Sequence, residues 1–184
     1  MKIREAAGLM GKGLFAGAMG TAAITASTMI ETKLTGRKPD TTPADAAVKV
    51  LPIREPVSDE ERQRLANRVH WAYGTSLGIP RAALGATGLP APAATLVHFA
   101  GVWGAGLTMR PALKVAPPVK EWGAKQIAAD GWHHLSYAVA ASLAYHLAER
   151  APERLGRARR HARGSKRLRR SARRRLSRLA PWRS

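Results

Sequence analysis

Four long runs poor in charge constrain this chain more than any other feature of its sequence. Residues 13–30 lie uncharged between Lys12 and Glu31, residues 91–109 stop at Arg110-Pro111, and residues 131–147 follow Asp130 and precede Glu149. The remaining run, about 66–88, is interrupted by Pro80-Arg81. A bilayer core is crossed by about 17–25 mostly apolar residues. A water-facing helix instead needs polar side chains at roughly every third or fourth position, and residues 13–30 and 91–109 carry no charge on any face. The expectation is an all-α integral membrane protein, a four-helix transmembrane bundle over residues 1–149 with spans at about 13–31, 66–88, 91–110 and 131–148. The first run exceeds the about 7–15 apolar residues of a signal peptide, so it reads as a retained helix.

These runs are rich in Ala, Gly, Ser and Thr, and the whole chain has two Phe and three Tyr. Lipid offers no hydrophobic drive between helices, so small residues one turn apart must let backbones approach. Gly13-x-x-x-Gly17, Ala16-x-x-x-Gly20 and Gly74-x-x-x-Gly78 have that spacing. Gly88-Leu89-Pro90 reads as the turn of an antiparallel hairpin, and residues 44–51 as a short amphipathic helix. Ser58 with Glu61 offers a capping box for the helix entering the second span. Pro117-Pro118 opens a segment, 119–129, expected to lie along the membrane interface. The absence of Cys excludes disulfides, thiolate metal sites and a Cys nucleophile.

The net charge of +19 is uneven: residues 150–184 hold 15 Lys and Arg against one acid, a net of +14, leaving +5 for the rest. Arg159, Arg160, Arg169, Arg170, Arg173, Arg174 and Arg175 dominate this tail. Leu168, Ala172, Leu176 and Leu179 give it a narrow apolar stripe if helical, which suits adsorption to anionic lipid headgroups. Nucleic acid or the ribosome is the alternative partner, through phosphate neutralisation. The positive-inside rule puts the tail, and with four spans the N-terminus, in the cytoplasm. The basic residues between positions 33 and 68 then face outward, against the same rule, and the far denser tail decides the orientation.

Ionisable residues at membrane depth are costly and mark function. Alternating span direction brings Glu31, His70, Arg110, Asp130, His133 and His134 to one membrane face, beside Trp71 and Trp132. Arg81, His98 and His146 fall in the opposite half. Imidazole titrates near neutral pH, so the first set reads as a proton-sensitive polar cluster. The competing reading is that Trp and His anchor helix ends at the headgroups. Adjacent histidines on a helix diverge by about 100°, which opposes a shared metal ion. No nucleophile elbow, phosphate loop or zinc-protease motif occurs, so no enzyme activity, metal or cofactor is expected. Phe15-Ala16-Gly17-x-x-Gly20 and His70-x-x-Tyr73 recur as Phe99-Ala100-Gly101-x-x-Gly104 and His134-x-x-Tyr137, the pattern of two repeated helical hairpins.

Ala16-Gly17-x-x-Gly20-Thr21, Glu31-x-x-Leu34-Thr35-Gly36-Arg37, Asn67-x-x-His70-Trp71-x-Tyr73-Gly74 and Asp130-x-x-His133-His134-x-x-Tyr137 resemble the YagU-like family of small bacterial inner-membrane proteins. The likeness covers about residues 10–149 and leaves the Arg-rich tail outside. It implies a multi-span protein of the inner membrane, loosely associated with acid-stress tolerance, and no catalytic or binding residues. The expected function is a structural, interaction or stress-response role in the lipid bilayer, as a monomer or homo-oligomer. The alternatives are an oligomeric transporter or channel component, and a membrane tether holding nucleic acid through the tail.

Overall fold

The computed structural model describes residues 3–37 and 39–179, with side chains placed through residue 151. Among these residues the chain is all-α, with no strand. The helices are α1 (Ile3–Thr35), α2 (Thr42–Val50), α3 (Asp59–Ser76), α4 (Gly78–Ala86), α5 (Ala91–Ala112) and α6 (Ala124–Leu179), with a 3₁₀ turn at Val119–Glu121 before α6. Two compact units divide after His146. The second is helical over residues 147–179.

Local chemistry explains the helix limits. α1 ends where Gly36 adopts the left-handed region (φ +68°) and its N–H reaches back to the Thr32 carbonyl at 2.9 Å. At α3, Ser58 Oγ accepts the Glu61 N–H at 3.2 Å, while the Glu61 carboxylate takes the Val57 N–H at 3.1 Å, one residue upstream of a strict capping box. α2 lies on α3 through Ala44, Ala47 and Ala66, all buried, and Arg62 pairs with Asp45 across the same contact. The hydrogen bond and charge of Asp45 raise the pKa of the Arg62 guanidinium. Segment 119–129 leads directly into α6. It is the 3₁₀ turn followed by the opening of α6, because Gly123 starts the helix by accepting the N–H groups of Gln126 and Ile127.

The second expected span is two helices. α3 and α4 meet at Leu77, three residues before Pro80. Proline has no N–H for the Ser76 carbonyl and its ring crowds that carbonyl, so the helix breaks one turn upstream. α1 alone among the described helices is long and apolar enough to cross a membrane. In α5, 22 residues long, His98, Trp103, Thr95, Thr108 and several Gly and Ala occupy positions where a strongly apolar span would carry Leu or Ile.

Close backbone approach organises the first unit. α1 packs on α3 and α4. A Cβ at Gly78 would collide with the Gly13 carbonyl and the Gly17 backbone, and one at Gly17 with the Thr75 carbonyl. The two helices therefore touch main chain to main chain. α6 adds two tyrosines two turns apart on one face. The Tyr137 ring presses against Gly20 of α1, and Tyr145 against Gly85 of α4. Ala138, Ala141 and Ala144 fill the space between them, and all are buried. The repeated motifs do not share environments. Gly17 is pressed against α3 and α4, whereas Gly101 has open space at its Cα.

Gly17→Val and Gly78→Val should each lower stability by at least the about 1–3 kcal/mol typical of overpacking. Gly101→Ala should leave it unchanged or raise it by up to about 1 kcal/mol, through reduced backbone entropy. Thermal unfolding followed by circular dichroism in detergent micelles checks both.

Candidate functional site

The first polar group gathers where the end of α1 meets the start of α6 and the end of α5. Ser27 and Glu31 are one turn apart on α1, and His133 of α6 lies against both. His133 Nε2–H donates to Glu31 Oε2 at 2.9 Å, and its Nδ1 is 2.7 Å from Ser27 Oγ. Glu31 Oε1 also accepts from Arg37 at 3.0 Å. The Ser27 hydroxyl donates to a bare Nδ1 or accepts from a protonated one, so the chain of bonds survives either charge state of His133.

A second knot forms on Asp130. Both of its carboxylate oxygens accept from Arg110 at 2.9 Å, and Oδ2 also accepts the Trp103 indole N–H at 2.9 Å. Arg110 Nε donates to the Gly106 carbonyl at 3.0 Å, and its guanidinium lies over the Trp122 ring at 4.9 Å. His134 Nδ1–H donates to the Asp130 carbonyl at 2.7 Å. Of the six residues expected to share a face, the structure thus joins Glu31 to His133, and Arg110 and His134 to Asp130. His70 joins neither carboxylate; its Nε2 is 2.9 Å from Thr25 Oγ1 of α1.

In the second expected set Arg81 meets His146, while His98 bonds elsewhere. Arg81 is fully buried, at 0% exposure. Its Nε donates to Ser142 Oγ at 2.7 Å, its NH2 reaches His146 Nε2 at 3.2 Å, and its guanidinium covers the Tyr145 ring at 4.7 Å. Ser142 continues to Thr95 of α5 at 2.7 Å. His98, 2% exposed, donates Nε2–H to the Leu77 carbonyl at 2.9 Å, at the break between α3 and α4. Its Nδ1 is buried with no hydrogen-bond partner among the described residues. Tyr137 O–H donates to the Gly74 carbonyl at 2.7 Å, a backbone acceptor just above the same break.

Sequence reading missed Ser27, Thr25, Arg37, Trp103, Thr95 and Ser142. Helical spacing carried the signal: Ser27 is four residues before Glu31, Trp103 seven before Arg110, Ser142 four before His146. Among the described residues no group of three or more His, Asp or Glu is placed to hold a metal ion. The side chains of Arg159, Arg160, Arg169, Arg170, Arg173, Arg174 and Arg175 lie outside the described residues. No family model, curated protein or solved structure matches the chain.

The three acid-centred contacts should rank by burial. Asp130→Asn strands the Arg110 charge and should cost about 1.5–3 kcal/mol, as for hydrogen bonds to charged groups. Arg37→Ala, at an exposed pair, should cost under about 1 kcal/mol. Glu31→Gln should fall between. Equilibrium unfolding of the three variants in one detergent gives the order directly.

Proposed function

We propose that this chain is a four-span protein of the bacterial inner membrane whose polar clasp at one end of the helices responds to protons. The observation that carries the membrane reading is an inverted distribution of side chains. Outward on α1, α5 and α6 stand Leu14, Phe15, Met19, Leu96, Val97, Val139 and Leu143, with Leu143 62% exposed. Inward lie Arg81, His98, Thr21 and Ser142, all buried. Large exposed apolar surface together with buried polar groups is the informative departure from a water-soluble pattern. In lipid, the same arrangement satisfies both sets. The four spans are α1, the broken α3–α4 pair, α5 and the start of α6, and the resemblance to the YagU-like family points the same way.

The clasp is the responsive element. Glu31 with His133 ties α1 to α6, and Asp130 with Arg110 ties α6 to α5. Protonating Glu31 removes the charge that His133 and Arg37 face. Acid therefore loosens α1 from α6 at their ends, a role suited to stress response or to contact with another membrane protein. Catalysis fits poorly. Ser27–His133–Glu31 has the bond order of a hydrolytic relay, but Ser27 sits within α1, where backbone N–H groups are spent on the helix ladder and leave no oxyanion donors. The Arg-rich tail then rests on anionic headgroups at the cytoplasmic face.

A second reading, a transport component, is favoured by the break at Leu77. Discontinuous spans with ionisable side chains at the interruption are a recurring device of transporters. Here His98 holds a carbonyl of the break.

Two experiments test this reading. The full chain should stay with the pellet when membranes are washed in alkaline carbonate; release as a detergent-free monomer overturns the membrane assignment. In micelles, wild-type stability should fall as the medium is acidified through the carboxylate range. The Glu31→Gln variant should start lower and show a flatter profile. A wild-type profile no steeper than the variant's overturns the clasp.

A further inference from the structure

We propose that the groove around Glu31 is a binding site for one phospholipid, with its phosphate on Arg37 and Lys125 and an acyl chain along Ile30, Leu34 and Trp132. This rests on the membrane reading above. Two cavities flank Glu31. One, of about 400 Å³, is lined by Glu31, Arg37, Lys125, Gln126 and Ala129. The other, of about 310 Å³, is lined by Ile30, Leu34 and Trp132 together with Ser27 and His133. Glu31 and Ala129 line both, so a cationic compartment adjoins an apolar one. That is the polarity profile of a lipid at the headgroup boundary, and neither inorganic phosphate nor a purely apolar ligand uses both halves.

Charge supports the same occupant. Glu31 would repel a phosphate if free, but His133 engages one of its oxygens and Arg37 the other. Arg37 commits NH1 to that pair, and a guanidinium has five donors in all. Lys125 is exposed at the rim and brings a second cation. On the apolar side Ile30 and Leu34 are exposed, and Trp132 is an amphipathic ring of the type that settles at headgroup depth. The site draws on α1, the turn after it and the first turns of α6, so lipid bound here bridges the same two helices as the Glu31–His133 pair. Bound lipid should therefore raise stability by linkage.

The test uses full-length protein extracted from washed membranes into dodecyl maltoside. A chain that never pellets with membranes fails the membrane reading; one that pellets but ignores lipid fails only this site. Thermal unfolding is measured against dioctanoyl phosphatidylglycerol, inorganic phosphate and dioctanoylglycerol. Expected is a saturable rise in Tm with the phospholipid, and none with phosphate or the uncharged diacylglycerol at the same concentrations. The Arg37→Gln, Lys125→Gln double variant should need at least tenfold more phospholipid for half the rise, and Trp132→Ala should also weaken the response. The proposal is overturned if the double variant responds like wild type, or if phosphate alone reproduces the shift. Should a variant unfold early, mass spectrometry of wild-type protein after detergent exchange decides instead. One retained phospholipid per chain supports the site, and lipid-free protein removes it.

Discussion

The rest of the first unit depends on the contact between α1 and α4, where Gly13 and Gly17 meet Gly78 with no side chain between the backbones. Dispersion falls off steeply with separation, so two helices gain most when their main chains touch. The contact also sets the remaining distances. With α1 drawn onto the α3–α4 break, Thr21 comes to rest on Gly74 and Tyr137 on Gly20.

The tyrosines turn this tight contact into a three-helix core. Each brings its ring against a glycine, so a large side chain fills the space that a small one leaves. Each also carries a polar end inward. Tyr137 O–H satisfies the Gly74 carbonyl, and the Tyr145 ring lies beneath the Arg81 guanidinium. Burying hydroxyls, imidazoles and a guanidinium is tolerable only when each finds partners. The chain meets most of that requirement with the Ser142 side chain for Arg81 and backbone carbonyls for His98 and Tyr137, leaving His98 Nδ1 without a partner among the described residues.

Much of this was legible in the sequence, and the parts that were not share a cause. Charge-free runs placed the long helices, Ser58 announced the start of α3, and the Gly-x-x-x-Gly spacings identified the faces that approach. Pro80 marked the second run as interrupted, yet the break fell at Leu77, because proline disturbs the carbonyl one turn behind it. Topology alone brought Glu31, Asp130 and the histidines to one end. It did not say that His70 would meet Thr25 while His133 met Glu31, since neighbouring faces of α1 differ by one residue in register. Nor did it single out Ser27, Trp103 or Ser142, whose importance comes from the helix opposite. Local pattern reports which face is small or polar; pairing is decided by shape across the interface.

The two polar groups differ in what they can do because they differ in surroundings. Arg81 and His98 lie deep among apolar and aromatic neighbours, where a change in charge is strongly penalised. Their bonds to Ser142 and to the Leu77 carbonyl hold the helix break in one arrangement. The Glu31 pair is half open, with Arg37 reaching out to solvent and His133 reaching in to Ser27. There solvent lowers the cost of altering charge. The break is thus pinned by buried bonds, while the Glu31 pair at the helix ends stays open to solvent.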